Sequence, residues 1–352
     1  MDAPLTVADY GRRAEELLPA GPWAYYSGGA GDERTLRGNV ERWRARTLRP
    51  RVLVDVGTVS TGTTVLGTPV AMPVLVAPVA LQRMAHPDGE PGMARAAAAA
   101  GTIMTLSTLA TSTPREVAAA APSAPRWYQL YVTKDRGVSD ALIAQAVENG
   151  FRALVLTVDA PVPGRRERDA RADFRVPPGL DMPAVSAALG GSAGFTAADF
   201  FSMVEPSLTW LDLERLVASS PLPVLVKGVH TGEDGRLAVE HGAAGVVVSN
   251  HGGRQLDGVP ATVDMLPEVV DAVSGRAEVL VDGGVRRGVD VAVALALGAR
   301  AVLVGRPALW GLAVGGEAGA RHVLRILHDE LENALALLGC PSPGDVRRTH
   351  LG

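Results

Sequence analysis

Chemistry concentrates in one stretch of this 352-residue chain, Ser249-Asn250-His251-Gly252-Gly253-Arg254-Gln255-Leu256-Asp257. A histidine followed by two glycines and an arginine makes a poor helix and a poor strand, so the segment is held for its side chains. His251 is the one histidine of seven at the tip of an apolar run, where a group titrating near neutrality can serve as a general base. His86, His230, His241, His322, His328 and His350 fall in loops or helical patterns and read as surface or capping residues. Asp159 ends another apolar run and could orient and support the imidazole. Arg166, in Gly164-Arg165-Arg166-Glu167, and Arg254 could form a two-arginine clamp for a carboxylate. A base beside such a clamp points to chemistry at the carbon next to a carboxylate.

A second group of residues suits a phosphate. Asp282-Gly283-Gly284-Val285-Arg286 and Gly305-Arg306 end two further apolar runs. Glycine lets backbone N–H groups approach an anion, and arginine pairs with its charge. One glycine loop could be no more than a tight turn; two Gly/Arg loops ending successive runs favour phosphate. Lysine usage adds a third signal, because the only lysines in the chain are Lys134 and Lys227. Lys134 lies in the polar run Thr133-Lys134-Asp135-Arg136 and reads as a solvated loop residue. Lys227 ends the run 223–226, so a strand delivers a compact ammonium to a place where a guanidinium would not fit.

These residues need a scaffold that gathers the ends of apolar runs. Eight short, β-branched runs are present: Val74–Ala80, Thr102–Ser107, Trp127–Val132, Ala153–Asp159, Pro223–Gly228, Gly245–Asn250, Val279–Gly284 and Ala301–Arg306. Most are continuously apolar, as in strands buried on both faces of a parallel sheet. Helical patterns separate them at Ala94–Ala100, Asp140–Asn149, Asp234–His241 and Asp290–Leu297. Eight βα units over about 250 residues match a closed (β/α)8 TIM barrel, with a large doubly wound sheet as the alternative. In a barrel the site lies at the C-terminal strand ends. There the runs place Pro78-Val79-Ala80, Ser107, Gln129 with Tyr131, Thr157 with Asp159, Lys227, Ser249 to Arg254, Asp282 to Arg286, and Gly305-Arg306.

The chain reads as a single domain, with a cap segment of helices and turns over 1–60 and a barrel over 61–352. An insertion at about 161–206, rich in Gly, Pro and Ala, reads as a lid over the mouth. The last helix, Gly319–Leu338, keeps Val323, Leu327, Leu331 and Leu335 on one stripe and stops at Gly339. Composition narrows the partners. With 34 basic against 38 acidic side chains and no Lys/Arg stripe, nucleic-acid binding is not expected. The uncharged stretch from Gly57 to Gln82 contains Pro69, Pro73 and Pro78, which break a membrane helix, so it reads as buried strand and turn. One cysteine, Cys340, excludes an internal disulfide framework and a cysteine-based metal site; no metal is expected, and a reducing cytoplasm fits.

Ser249 to Asp257 together with Asp282 to Arg286 resembles the FMN-dependent 2-hydroxy-acid oxidase/dehydrogenase family. The likeness runs from Tyr25-Tyr26 through Leu156-Thr157-Val158-Asp159 and Val226-Lys227-Gly228 to Val304-Gly305-Arg306-Pro307. The resemblance implies FMN as cofactor, His251 as base and Asp159 as its partner. Arg166 and Arg254 would hold the substrate carboxylate, with Tyr25 assisting and Tyr131 touching the substrate hydroxyl. Pro78, Val79, Ala80, Ser107, Gln129, Thr157, Lys227 and Ser249 would line the flavin ring and ribityl chain. Asp282, Gly283, Gly284, Val285, Arg286, Gly305 and Arg306 would hold the ribityl and phosphate. The implied reaction is oxidation of an (S)-2-hydroxy acid to the 2-oxo acid with O2 as acceptor, by a cytoplasmic homotetramer. Leu109, where plant glycolate-oxidising members carry tryptophan, implies room for medium-chain or aromatic acids. Alternatives are a same-family dehydrogenase serving a quinone or protein acceptor, an FMN isomerase acting on a diphosphate, and a flavin-binding protein without turnover.

Overall fold

Alternation of inward and outward apolar side chains sets the architecture. The computed structural model describes residues 4–191 and 197–352. A hairpin, β1 (Thr63–Val65) and β2 (Thr68–Val70), turns at Leu66 and Gly67, both with positive φ, as a two-residue hairpin turn requires. Eight parallel strands then close a barrel: β3 (Val74–Val76), β4 (Met104–Leu106), β5 (Arg126–Leu130), β6 (Leu154–Thr157), β7 (Val224–Val229), β8 (Gly245–Val248), β9 (Glu278–Asp282) and β10 (Ala301–Val304). β10 pairs with β3 in register Val302 to Val74, which completes the circle. The (β/α)8 barrel expected from the eight runs is therefore what forms.

Each strand buries both faces. Leu75, Trp127, Val155, Leu225, Val247, Leu280 and Leu303 form one cluster with Val65 and Val70 of the hairpin, and no helix contributes to it. That cluster fills the barrel interior, and the hairpin is its floor. The alternate residues, among them Val74, Val76, Leu154, Leu156, Val224 and Val226, pack outward against the helices. The floor leaves the C-terminal mouth as the end open to a ligand.

Three helices, Val7–Leu17, Ala20–Ser27 and Arg34–Arg44, form the cap segment. The second carries Tyr25 and Tyr26 to the mouth, and Asp257 accepts from Thr35 N at 2.8 Å at the start of the third, tying it to the loop after β8. The described part of the insertion after β6 contains short helices at Glu167–Arg171, Pro183–Ala188 and Ala197–Met203 before the helix Trp210–Ser219. The part of that expected lid at 192–196 lies outside the described residues. The final helix begins earlier than its apolar stripe indicates. It spans Arg306–Leu338, is broken at Gly315 and Gly316, and stops at Gly339 in the left-handed conformation. Asp88 accepts from Glu317 N at 2.9 Å and so caps the second half, which is the part legible in the sequence.

Among the described residues no helix is long and apolar enough to cross a membrane, and no cluster of His, Cys, Asp and Glu is arranged to hold a metal ion. Two of the histidines read as surface or capping residues are more enclosed than a surface position, and one of them, His350, does cap, accepting from Arg347 N at 3.0 Å. His350 is buried beside Cys340, and the Nε2 of His230 is buried without a partner.

Candidate active site

All the candidate residues face one cleft at the barrel mouth except Asp159 and Ser249, which stand behind its wall. The cleft encloses about 1140 Å³, counting space open to solvent at its mouth.

The loop after β8 presents His251, the candidate base. His251 has φ +56°, a left-handed conformation uncommon for a residue with a Cβ, and Gly252 and Gly253 continue it at +65° and +75°. A Cβ on Gly253 would lie 2.6 Å from Leu36 N, so glycine is required there by the cap segment. The bend brings His251 Nδ1 to 2.9 Å from Asp159 Oδ1. Ser249, expected on the wall, is fully buried, and its Oγ accepts from His251 N at 3.1 Å and from Lys227 Nζ at 3.0 Å.

Electrostatics sort these groups. Burial lowers the pKa of His251, aided by Lys227 and Arg254 and opposed by Asp159, so the imidazole is neutral at pH 7. Burial would raise the Asp159 carboxyl, but His251 and Lys227 outweigh it and hold the group below its usual range. Lys227 is driven down by burial and up by Asp282 and Asp159; the carboxylates prevail, and it stays a cation with Nζ 3.3 Å from Asp282 Oδ2. Lys134, by contrast, is exposed and donates to Ser202 O.

Two guanidiniums flank the Tyr25 ring, Arg254 at 5.0 Å from its centroid and Arg166 at 5.5 Å. Arg254 donates to the backbone carbonyls of Tyr25 and Gly28, and burial together with Arg166 lowers its pKa to about 10. Arg166 Nε lies 3.4 Å from Asp169 Oδ2, so one carboxylate offsets part of the charge, and the remaining positive charge of the pair suits an anionic ligand. Tyr131 lines the same end, and burial raises its phenol far above the usual value, so it keeps its proton.

The other end combines close-packed backbone with two arginines. Gly283 and Gly284 take φ of +87° and +91°, and a Cβ on Gly284 would fall 2.3 Å from Asn39 O. Asp290 Oδ2 accepts from Arg286 N at 2.8 Å and from Arg287 N at 2.9 Å, fixing the turn. The Arg286 guanidinium lies 5.0 Å over the Trp310 ring, and burial lowers its pKa to about 10. Arg306 opens the final helix and donates to the carbonyls of Tyr26, Gly252 and Gly28, leaving N–H groups to spare. A helix N-terminus with two arginines is an anion site.

Several contributors carried no local signal. Trp43 donates from Nε1 to Gly283 O at 2.7 Å, and Asn39 and Asn250 exchange amide hydrogen bonds at 2.8 Å. Nothing near Trp43 or Asn39 in the chain marks either residue.

The family described as FMN-dependent dehydrogenase matches residues 14–352, and this chain belongs to it. The chain is 49% identical to an L-lactate oxidase of Nostoc sp., over 100% of this chain and 99% of that one. It is 51% identical to glycolate oxidase 1 of Zea mays, over 98% and 95%. A solved mandelate oxidase with benzoyl-formic acid superposes with a TM-score of 0.90 at 42% identity, over 99% of this chain and 98% of that one. The chain is thus an FMN-dependent oxidoreductase of the 2-hydroxy-acid oxidase family.

Its cleft fits FMN. Gln129 Nε2 and Asp282 Oδ1 are buried at the wall without hydrogen-bond partners, a donor and an acceptor of the kind a flavin ring and a ribityl hydroxyl would engage. Gln129 is held for this by Ser107 Oγ and Thr108 N, which both donate to its Oε1.

Proposed function

We propose that this chain oxidises an (S)-2-hydroxy acid to the 2-oxo acid, with O2 as final electron acceptor and H2O2 as the second product. One observation carries this reading: within one cleft, a neutral imidazole backed by a carboxylate at 2.9 Å stands with two guanidiniums gathered around Tyr25. Arg166 and Arg254 bind the substrate carboxylate, Tyr25 orients them, and Tyr131 donates to the substrate hydroxyl. His251 removes a proton from the bound acid, and Asp159 stabilises the imidazolium that results. Pro78, Val79, Ala80, Ser107, Gln129, Thr157 and Lys227 would hold the flavin ring, with Ser249 steadying Lys227. Asp282, Gly283, Gly284, Val285, Arg286, Gly305 and Arg306 would hold the ribityl phosphate. What FMN supplies when bound is a two-electron sink beside the base.

Leu109, Ala160 and Phe201 give the cleft an apolar wall, which favours acids with an alkyl or aryl substituent over glycolate. The relatives span lactate, mandelate and glycolate oxidases, so the preference rests on the apolar wall. We place the protein in the cytoplasm, where its single, free Cys340 stays reduced, and as a homotetramer whose contacts cover exposed Val52 and Leu53. The decisive experiment is anaerobic addition of glycolate, lactate, 2-hydroxyoctanoate and mandelate to the yellow protein, followed by air. Bleaching, then rapid recovery with peroxide, is expected. Absence of bleaching by every acid would reject the assignment, and slow recovery would reject O2 as acceptor.

A further inference from the structure

Every polar atom of the Gln255 side chain is spent on one short stretch of backbone. Its Nε2 donates to Asp159 O at 2.9 Å and to Val162 O at 3.0 Å, and its Oε1 accepts from Gly164 N at 3.0 Å. The stretch 159–164 has neither helix nor strand, so the amide supplies partners that secondary structure would otherwise provide. The two segments are in close contact: a Cβ on Gly164 would fall 2.2 Å from Arg254 O and 2.7 Å from Gln255 Cα. One of these segments carries His251 and Arg254. The other begins at Asp159 and runs on to Arg166.

Building on the reaction proposed above, we propose that Gln255 is a positioning residue for substrate recognition. Its carboxamide fixes the spacing of Arg166 from Arg254 and keeps Asp159 behind His251. The task needs two donors and one acceptor on a planar group, which a glutamine has and a glutamate lacks. The carboxylate introduced by Gln255→Glu would turn lone pairs on the carbonyls of Asp159 and Val162. The groups whose charge would register a shift of this segment are Asp159, Lys227 and Arg254 around His251, and Lys227 and His230 around Asp159.

The test compares wild-type holoenzyme with Gln255→Ala and Gln255→Glu. Binding of oxalate, a planar dicarboxylate, is followed through the flavin spectrum, and the pH dependence of kcat/KM is measured with whichever acid bleaches the wild type. Gln255→Ala is expected to weaken oxalate at least tenfold and raise KM in step. The acid limb of the profile should move to lower pH as Asp159 loosens from His251, with FMN content and Tm near those of the wild type. Gln255→Glu should be worse than Gln255→Ala in each respect. Unchanged oxalate affinity and an unmoved acid limb overturn the proposal. So does loss of FMN or of the fold in both variants, since the residue would then hold the mouth as a whole. A wild type that neither binds oxalate nor is bleached by any acid brings down the proposed reaction as well; one that does both, matched by Gln255→Ala, brings down only the role of Gln255.

Discussion

The two ends of the cleft are built by different means. Where β9 and β10 end, close-packed backbone is joined by two guanidiniums: Gly283 and Gly284 with positive φ, a turn pinned by Asp290, and Arg286 and Arg306, the latter at the start of the final helix. Where β6 and β8 end, it is side chain: His251, Arg166, Arg254, Tyr25 and Tyr131. The glycines of the first end tolerate no added atoms and share the load with two arginines, whereas the second end is side chain throughout and stands or falls with each. Substitutions at the β6–β8 end should therefore reduce turnover with FMN retained. Substitutions behind the β9–β10 end should loosen FMN and leave the turnover of loaded enzyme alone.

The largest expected effect is at the base. His251→Gln keeps a polar group of similar size but cannot take up a proton, and flavin reduction by the acid should slow by about 10⁴. FMN content should hold; release of the cofactor by this change would show that the two ends are not separable. Asp159→Asn comes next, at about 10³ in kcat/KM, because the imidazolium loses its supporting charge. Its sign in pH is definite. Kinetic competence needs neutral His251, whose pKa is lowered by burial, so the acid limb of the wild type lies below pH 6.5. Asp159 raises that pKa, and its removal should carry the limb to still lower pH. A limb that rises instead would mean the titrating group is not His251.

Arg254→Lys should raise KM by about 10- to 100-fold with a smaller change in kcat, since Nη1 alone serves the Tyr25 and Gly28 carbonyls and an ammonium that kept both would have one N–H left in place of the guanidinium's bidentate fork. Equal loss in kcat would move Arg254 from binding towards the transition state.

The contrast between the two ends also explains what the sequence could disclose. The barrel was legible because strands such as β7 and β8 bury both faces and so read as unbroken apolar runs. Run ends such as Pro78–Ala80 proved to be loop, as residues that face a ligand rather than a neighbouring strand do. His251 and Arg254 stood out because a histidine before two glycines suits no regular element. The supports did not. Trp43 and Asn39 reach the site from the cap segment, more than 200 residues away in the chain, and their types suit a helix face equally well. Gln255 lies inside the most conspicuous motif, yet its partners are backbone atoms of another loop, which composition and spacing do not encode. The helices of the insertion, five to seven residues long among Gly and Pro, are too short to show a helical period, and the break at Gly315 and Gly316 hid the first half of the final helix.

The smallest expected effect gives the sharpest test of the contrast. Trp43 is 1% exposed, donates to Gly283 O, and packs where a Cβ on Gly284 would have to go. Trp43→Phe keeps an aromatic ring against Gly284 and removes the N–H. Gly283 O retains a second donor, Thr262 Oγ1 at 3.1 Å, so the carbonyl is not stranded. A lost neutral hydrogen bond of this kind is worth about 0.5–1.5 kcal/mol, or about 2- to 10-fold in an equilibrium constant. That loss should appear in the Kd of FMN for the apoprotein, measured by quenching of flavin fluorescence, with kcat and KM unchanged at saturating FMN. A shift in KM for the acid with FMN affinity intact would mean that Trp43 acts through the cap segment on Tyr25 and the loop after β8, and the two ends would then have to be treated as one site.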